Sequence, residues 1–192
     1  MAQAEQTDEE IALLVQSHKV ELFGILINRY EKKMTRYAGR VLNNKEDIQD
    51  VVQEIFTKAY ININSFDVKR KFSSWLYKIA HNEIVNVFKK NKRRYSLPLL
   101  NLDIFFPQYA KDSTQDIGRE MDRKETKAMI DSCFDTLENK YKEPIALYYL
   151  EELSYQEIAD IMQIPTSTVG VRIKRAKKIM KQILETHQEL GK

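Results

Sequence analysis

The sequence predicts an all-α protein with two small helical domains, an N-terminal helical bundle and a C-terminal helix-turn-helix domain, joined by an extended linker. Apolar residues recur at helical spacing along most of the chain, and no segment alternates with the period of two that is typical of a strand. Neither Gly nor Pro occurs between Arg40 and Leu97, so nothing in this stretch breaks a helix. A less regular, apolar stretch at residues 96–110 separates the two helical regions.

The composition restricts the class of protein. A chain of 192 residues with a net charge of +3 is expected to form one or two small, soluble domains. No run approaches the roughly 20 apolar residues needed to cross a bilayer, and the acidic first ten residues lack the apolar core of a signal peptide. The single cysteine, Cys133, excludes an internal disulfide and lies at apolar helical spacing, where packing is expected. We therefore expect a cytoplasmic protein that does not insert into a membrane.

Four helices are predicted in the N-terminal region. Thr7 and Glu10 are spaced as a capping box, so the first helix is expected to begin there. Apolar residues three and four positions apart predict the next three helices, over residues 20–42, 46–62 and 72–91. Together these helices can close one domain over residues 7–93.

The C-terminal domain is predicted over residues 121–186. One helix ends near Leu137, a second lies near residues 144–150, and a closely spaced pair follows. In that pair, Ser154 and Glu157 form another predicted capping box, and Pro165 is placed at the start of the second helix. This second helix carries six cations and no acid between Gln163 and Lys181: Arg172, Lys174, Arg175, Lys177, Lys178 and Lys181. The pattern favours a helix-turn-helix that approaches DNA phosphates over a helical hairpin with a solvated basic face.

The linker is assigned to residues 94–120. Flexible linkers are usually polar and rich in Gly and Ser, whereas this one contains a set of large apolar side chains: Leu97, Leu99, Leu100, Leu102, Ile104, Phe105, Phe106 and Tyr109. Two explanations stay open, because the stretch can either pack on its own protein or thread into a partner.

Charge is distributed unevenly along the chain. Residues 66–95 contain nine Lys or Arg against two acids, residues 96–138 contain five against nine, and residues 139–192 contain nine against seven. Two basic blocks separated by an acidic one indicate two separate contacts with a polyanion.

Two surfaces of the N-terminal region are candidates for binding. Asp50, Gln53 and Glu54 share one face of the third helix, although spacing alone favours an ordinary solvated face. Phe66 lies in a basic loop and is a candidate for stacking on an unpaired base. The following helix is expected to bury Phe72 and Trp75 and to present a polar side made of Lys78, Asn82, Val85, Asn86 and Lys89.

Three motifs together resemble the signatures of extracytoplasmic-function sigma factors, the two-domain class of bacterial sigma subunit. They read D-x-x-Q-E-x-F from Asp50, F-x-x-W-L-Y-K-I-A-x-N from Phe72, and L-S-Y-Q-E-I-A-D-I-M-x-I-P-x-x-T-V-x-x-R-I-x-R-A-x-K from Leu153. Their order and separation match the family pattern, and the resemblance covers nearly the whole chain.

The resemblance implies roles for three sets of residues. The set that binds core RNA polymerase, on coiled-coil helices of its largest subunit, is Asp50, Gln53, Glu54, Thr57 and Lys58. The set that reads the minus-ten element, where a base of the melted non-template strand is flipped out, is Phe66, Lys69, Arg70, Lys71, Tyr77, Lys78, His81, Asn82, Val85, Asn86 and Lys89. The set that reads the duplex minus-thirty-five element in the major groove is Tyr155, Thr166, Ser167, Thr168, Gly170, Val171, Arg172, Lys174, Arg175 and Lys178.

The resemblance also implies partners for the rest of the chain. In similar proteins the linker runs through the polymerase toward its active site and RNA exit path. An anti-sigma protein, often anchored in the membrane, commonly clamps between the two domains. We expect promoter DNA, core polymerase and an anti-sigma factor as partners.

This sequence departs from the family pattern within the recognition helix. Ser167 stands where Gly is common, and Gly170 and Val171 stand where Lys or Arg followed by Ser is common. Base readout must then use Lys174 and Arg175, contact of Val171 with a thymine methyl group, or the shape of the DNA. Close approach of backbone to DNA is one hypothesis for the glycine.

Two other classes of function are weighed against this one. A stand-alone helix-turn-helix repressor or activator requires a dimerisation helix or a ligand pocket, and the sequence indicates neither. A hydrolase with paired carboxylates such as Asp47 and Asp50 is disfavoured because metal-ligand spacing, a nucleophile motif and a glycine-rich phosphate loop are all lacking. We expect neither an enzyme nor a cofactor or bound metal.

Overall fold

The computed structural model describes residues 6–42, 44–94, 130 and 132–190, and every regular element within them is a helix. In the N-terminal domain, α1 spans Asp8–Gln16, α2 Phe23–Val41, α3 Lys45–Ile61 and α4 Phe72–Arg94. In the C-terminal domain, α5 spans Asn139–Tyr149, α6 Tyr155–Met162 and α7 Thr166–Leu190. Short 3-10 turns, Val20–Leu22 and Ile63–Ser65, precede α2 and follow α3. The all-α class predicted from the sequence is confirmed.

Local side-chain caps fix the helix starts. At α1 the Thr7 hydroxyl accepts from the Glu10 N–H at 3.2 Å, and the Glu10 carboxylate accepts from the Thr7 N–H at 2.9 Å. The side chain of Asn44 caps α3 in the same way and accepts from the Glu46 N–H at 2.7 Å. These caps satisfy backbone donors that have no partner inside the helix. The capping box predicted at Thr7 is confirmed.

The core of the N-terminal domain lies between α2, α3 and α4. These helices meet through apolar side chains that are fully buried, including Leu26, Met34, Ile55, Ala59, Leu76 and Ala80. All six fall at the helical spacing that predicted the elements. Phe72 is buried and Trp75 is partly buried against the same core, as the sequence predicts.

The start of α5 differs from the predicted one. The sequence places a helix near residues 144–150, whereas α5 begins at Asn139 and contains Pro144 in its interior. Proline lacks the N–H that would bond to the Lys140 carbonyl, so it normally ends a helix. Residues 141–147 are all buried, and this packing keeps the segment helical despite the proline. Cys133, in the preceding helical residues 132–135, is buried and free.

The two domains pack against each other. Helix α5 lies against α2, and α6 lies against α4, so their apolar side chains extend one shared core. The segment assigned to the linker, residues 94–120, falls outside the described residues except for Arg94 at the end of α4. In the described part of the chain, no helix has both the length and the apolar character needed to cross a bilayer.

Candidate nucleic-acid interface

A capping box, a left-handed residue and a small apolar core together form the helix-turn-helix. Ser154 and Glu157 form the predicted capping box at the start of α6. Gln163 adopts a left-handed conformation, with φ of 54°, that ends α6 and turns the chain. The Pro165 carbonyl accepts from the Thr168 N–H at 2.9 Å, so Pro165 lies one residue before α7. Ile158 is fully buried in the core that holds the two helices together.

The outer face of α7 carries most of the residues expected to read duplex DNA. Thr166, Ser167, Val171, Lys174, Arg175 and Lys178 are exposed, whereas Thr168, Gly170 and Arg172 are partly buried. The Thr166 hydroxyl donates to the Gln156 side-chain carbonyl at 3.1 Å and so joins the starts of both helices. The three exposed cations Lys174, Arg175 and Lys178 lie within about one and a half turns of helix and can approach phosphates together.

Gly170 is backed by an aromatic ring. A Cβ atom placed on Gly170 would lie 3.5 Å from the nearest ring carbon of Tyr155, an ordinary van der Waals contact. Packing within the protein therefore leaves room for alanine, and it does not explain the glycine. The ring of Tyr155 is 37% exposed beside this position.

An aromatic cluster that the sequence did not predict lies beside α7. The rings of Tyr148 and Tyr155 have centroids 5.1 Å apart, and those of Tyr148 and Tyr149 are 4.8 Å apart. Lys177 lies 5.3 Å from the centroid of the Tyr149 ring, and its hydrogen bond to Tyr149 raises the pKa of Lys177. The adjacent tyrosines Tyr148 and Tyr149 could have indicated such a cluster from the sequence. Helical spacing alone, however, does not show which of the two faces the recognition helix.

Hydrogen bonds hold the basic loop before α4 against the rest of the N-terminal domain, and Phe66 is part of the core. The Gln16 side-chain amide donates to the carbonyls of Ile63 and Phe66 at 2.7 and 2.8 Å. The Phe66 ring is 5% exposed, and its centroid lies 5.2 Å from Trp75 and 5.5 Å from Phe72. Two neighbouring rings therefore bury Phe66 in this structure, and its role as a stacking residue stays a prediction. Lys69, Arg70 and Lys71 are exposed on the same loop.

Helix α4 presents a polar face with one buried exception. Lys78, Asn82, Asn86 and Lys89 are exposed, His81 and Val85 are partly buried, and Tyr77 is 2% exposed. The Tyr77 hydroxyl donates to the Glu151 carboxylate, and His81 Nδ1 lies 2.6 Å from Glu143 Oε1. Burial and the Glu151 hydrogen bond raise the pKa of Tyr77. Tyr77 is therefore not exposed in this arrangement, where its ring packs on Tyr37 and its hydroxyl contacts the C-terminal domain, and its place among the minus-ten residues stays a prediction.

Helix α3 carries the acidic face expected to bind a protein partner. Asp50, Gln53, Glu54 and Thr57 are exposed, opposite a row of buried apolar residues. Lys58 is partly buried, and its ammonium lies 2.8 Å from Glu83 and 3.6 Å from Glu54. The hydrogen bond to Glu83 raises the pKa of Lys58.

An apolar groove runs beside this face. It has a volume of about 790 Å³ between α2 and α3, and its lining includes Ile27, Ile48, Val52, Phe56 and Tyr60. The groove could not be predicted from the sequence, because Ile27 and Val52 share the spacing of ordinary core residues. Tyr60 is 45% exposed at the groove.

The described residues contain no group of three or more His, Cys, Asp or Glu side chains that could hold a metal ion. The cluster around Glu143, Glu151 and His81 consists instead of hydrogen bonds between the two domains.

Comparison with known proteins identifies both domains. The family model described as Sigma-70 region 2 matches residues 26–94, and the one described as Sigma-70, region 4 matches residues 127–180. Among solved structures, CnrH in complex with the cytosolic domain of CnrY shares the fold, with a TM-score of 0.67 and 23% identity over 94% of this chain and 99% of that one. The sigma factor RpoE of Bartonella quintana, in complex with the anti-sigma factor NepR, has a TM-score of 0.64 and 20% identity over 85% of this chain and 96% of that one.

The curated relatives are similar along nearly their full length. The ECF RNA polymerase sigma-E factor of Haemophilus influenzae is 37% identical over 95% of this chain and 98% of its own. The ECF RNA polymerase sigma factor SigW of Bacillus subtilis is 33% identical over 85% and 89% of the respective chains. A chain that matches such relatives over most of its length, and presents a capped helix-turn-helix whose second helix carries no acid before Glu185, belongs to the extracytoplasmic-function (ECF) family of RNA polymerase sigma factors.

Proposed function

We propose that this chain binds core RNA polymerase and directs it to promoters, where it reads two DNA elements with its two domains. The observation that carries the proposal is the exposed cationic face of α7, which carries no acid between Thr166 and Lys181, in a chain that contains both sigma-70 regions in order. We assign residues 7–93 to the domain that binds polymerase and melts DNA, residues 94–120 to the linker, and residues 121–186 to the domain that reads the upstream element.

Duplex recognition is assigned to α7. Its start lies at a turn held by Gln163 and Thr166, a geometry that places a helix in the major groove in other helix-turn-helix proteins. Lys174 and Arg175 supply hydrogen bonds to bases or phosphates, and the half-exposed Val171 supplies an apolar contact for a thymine methyl group. The residues Tyr155, Ser167, Thr168, Gly170, Arg172 and Lys178 complete the assigned surface.

Recognition of the melted strand is assigned to the exposed side of α4 and the loop before it. Lys69, Arg70, Lys71, Lys78 and Lys89 provide a cationic track, while Asn82 and Asn86 offer amide groups to unpaired bases. Phe66 supports this surface from the core, because its ring holds the loop against α4. Tyr77, His81 and Val85 stay in the assigned set.

Polymerase binding is assigned to the acidic face of α3. Asp50, Gln53, Glu54, Thr57 and Lys58 offer charged and polar contacts, and the adjacent groove can accept apolar side chains of a partner helix. Protein–protein interfaces commonly have an apolar centre and a polar rim, and the groove and the acidic face of α3 together have this arrangement.

The remaining proposals follow from family membership. The chain acts in the cytoplasm, has no catalytic chemistry of its own, requires no cofactor, and is silenced by an anti-sigma protein. Its DNA partners are the promoter duplex and the melted non-template strand.

Reconstitution with core polymerase tests the proposed function. We expect the purified chain to bind core polymerase and to start transcription at defined sites in a genomic DNA library, which core polymerase alone does not do. Sites that share two spaced sequence elements would support the two-domain assignment. DNA binding without any association with polymerase would contradict the proposal and favour a stand-alone regulator.

A further inference from the structure

Helix α1 contacts both ends of the basic loop before α4 through two of its side chains, Glu9 and Gln16. The loop consists of residues 67–71 and lies between Phe66 and Phe72. Glu9 and Gln16 are seven positions apart in α1, so both lie on one side of the helix, about 10 Å from each other along its axis. Helix α1 therefore sets the distance between the two ends of the loop.

Gln16, the last residue of α1, holds the start of the loop. Its side-chain amide donates to the Ile63 carbonyl at 2.7 Å and to the Phe66 carbonyl at 2.8 Å. A primary amide has two N–H donors, so both are used on the backbone of this one segment. Because the Phe66 carbonyl directly precedes the loop, Gln16 fixes the direction in which the chain enters it.

Glu9 holds the end of the loop. Its Oε1 atom accepts from the N–H of Phe72 at 2.9 Å, and Phe72 is the first residue of α4. This N–H has no partner inside the helix, and the side chain of the preceding residue, Lys71, has no acceptor with which to cap it. Glu9 supplies the cap from another helix, and its negative charge also suits the positive end of the α4 dipole.

Helix α1 is itself fixed to the core of the N-terminal domain. Its residues Ile11 and Ala12 are fully buried. The Asp8 carboxylate accepts from the Arg29 guanidinium and from the Tyr30 hydroxyl, both at 2.6 Å. Burial and the bond to Asp8 raise the pKa of Tyr30, so this hydroxyl stays protonated and donates. The helix can therefore act as a rigid support for the loop.

The middle of the loop folds through its own contacts. The Asp67 carboxylate accepts from the Lys69 N–H at 3.0 Å, and the Asp67 carbonyl accepts from the Arg70 N–H at 2.9 Å. Val68 is partly buried against the core, while Lys69 and Arg70 are exposed. The positions of these two cations thus depend on a short turn whose ends are both held by α1.

We infer that Glu9 and Gln16 are positioning residues for the minus-ten element, because they hold the loop in the shape in which it meets the melted strand. This inference rests on the assignment of the loop to that strand in the proposed function. Both side chains are partly buried, and both bond to backbone groups at the ends of the loop. They act through the loop, and their bonds lie entirely within the N-terminal domain.

Gln16→Glu tests the start of the loop in the full-length chain. The substitution keeps the size and shape of the side chain but replaces two donors by a carboxylate that faces two carbonyl oxygens. This repulsion should release the backbone at Phe66. Gln182→Glu is the matched control, because it makes the same change in charge at an exposed position of α7 outside the assigned DNA-reading set.

A pair of substitutions at Glu9 tests the end of the loop. Glu9→Gln keeps a side-chain oxygen that can accept from the Phe72 N–H, whereas Glu9→Met has a side chain of similar length and only a weak acceptor. If this hydrogen bond positions the loop, Glu9→Gln should remain close to wild type. Glu9→Met should then resemble Gln16→Glu.

Trp75 reports on the loop in the free chain. It is the single tryptophan of the protein, it is partly buried, and its ring centroid lies 5.2 Å from that of Phe66. Quenching of its fluorescence by acrylamide should increase for Gln16→Glu and for Glu9→Met. The two conservative variants, Gln182→Glu and Glu9→Gln, should match wild type, and circular dichroism should show the same helix content for all of them.

Promoter selectivity is measured in transcription by core polymerase reconstituted with each full-length variant. Single bases of the minus-ten and minus-thirty-five elements are substituted in a promoter that wild type uses. For Gln16→Glu, discrimination should fall about fivefold or more at one part of the minus-ten element, which is the effect of losing a base contact. Discrimination within the minus-thirty-five element should not change. A purely structural role would instead lower initiation equally at every base.

Each outcome bears on the inference. Equal loss of initiation at every base, or increased quenching of Trp75 with unchanged selectivity, would overturn it. If Gln16→Glu does not fold, the Glu9 pair provides the test, and equal selectivity of Glu9→Gln and Glu9→Met would overturn the inference. Failure of wild type itself to start transcription with core polymerase would contradict the proposed function, whereas the difference in Trp75 quenching would still show that α1 holds the loop.

Discussion

The carboxylate of Glu157 accepts hydrogen bonds from both the backbone N–H and the hydroxyl of Ser154, at 2.9 and 2.8 Å, and so closes the first turn of α6. Burial opposes ionisation of Glu157. The bonds from Ser154, Lys71 and Ser74 favour it and lower the pKa of Glu157 to about 2. The helix-turn-helix thus begins at an ionised carboxylate that also contacts the other domain.

This pKa predicts how stability depends on pH. Because the folded-state pKa of Glu157 lies below its ordinary value of 4.5, its stabilisation is present above that value and is lost as the pH falls toward 2. We expect wild type to exceed Glu157→Gln in free energy of unfolding near neutral pH, with a difference that shrinks between about pH 4.5 and 2. Urea unfolding across this range measures it, and a difference that does not vary with pH would contradict the expectation.

Gly170→Ala should raise the stability of the fold and weaken DNA binding. The new methyl group fits 3.5 Å from the Tyr155 ring, and alanine favours a helix interior over glycine by about 1 kcal/mol. We expect a higher free energy of unfolding together with weaker binding to a promoter duplex, since the methyl group would obstruct close approach of the backbone to DNA. Unchanged duplex affinity would refute the hypothesis of close approach.

Arg175→Ala should weaken recognition of the upstream element selectively. Loss of a good base contact costs about 1–3 kcal/mol, so initiation should fall at promoters with this element and change little at promoters without it. Run-off transcription with reconstituted polymerase measures both. Lys181→Ala is the matched control, because Lys181 is exposed further along α7 and pairs with Glu185 at 3.5 Å. Equal effects at both promoter classes would remove Arg175 from the assigned set.

Charge reversal on α3 should abolish polymerase binding. Asp50→Lys/Glu54→Lys changes two exposed carboxylates while Lys58 keeps its bond to Glu83 at 2.8 Å, so the helix should stay folded. We expect loss of co-purification with core polymerase. Glu152→Lys/Glu185→Lys makes the same change in charge on the C-terminal domain and should not affect co-purification. Retained binding by the α3 variant would contradict the polymerase-binding assignment.

Phe66→Ala should destabilise the N-terminal domain. Its ring is buried against Phe72 and Trp75, and truncation of a buried phenylalanine costs about 3–5 kcal/mol. Thermal or urea unfolding should show this loss, whereas Phe66→Leu should retain much of the stability. A Phe66→Ala protein with wild-type stability and weakened binding to single-stranded DNA would contradict this expectation and support the stacking role.

Much of the fold could be predicted from local signals. The capping boxes at Thr7 and Ser154, and the apolar spacing of α2, α3 and α4, depend on residues no more than a few positions apart. Pro144 shows the limit of such signals. Its local preference predicts a helix start, yet the burial of residues 141–147 keeps it inside α5.

By itself, the sequence determined the helices, their caps and the basic face of α7, because these features arise from contacts within one or two helical turns. Only the tertiary structure decided that Phe66 lies in the core and that Glu143 meets Tyr37 and His81. Glu143 is separated from these two partners by 106 and 62 positions, respectively. Such pairs produce no periodic pattern in the sequence, because they form only when helices that are distant in the chain pack against each other.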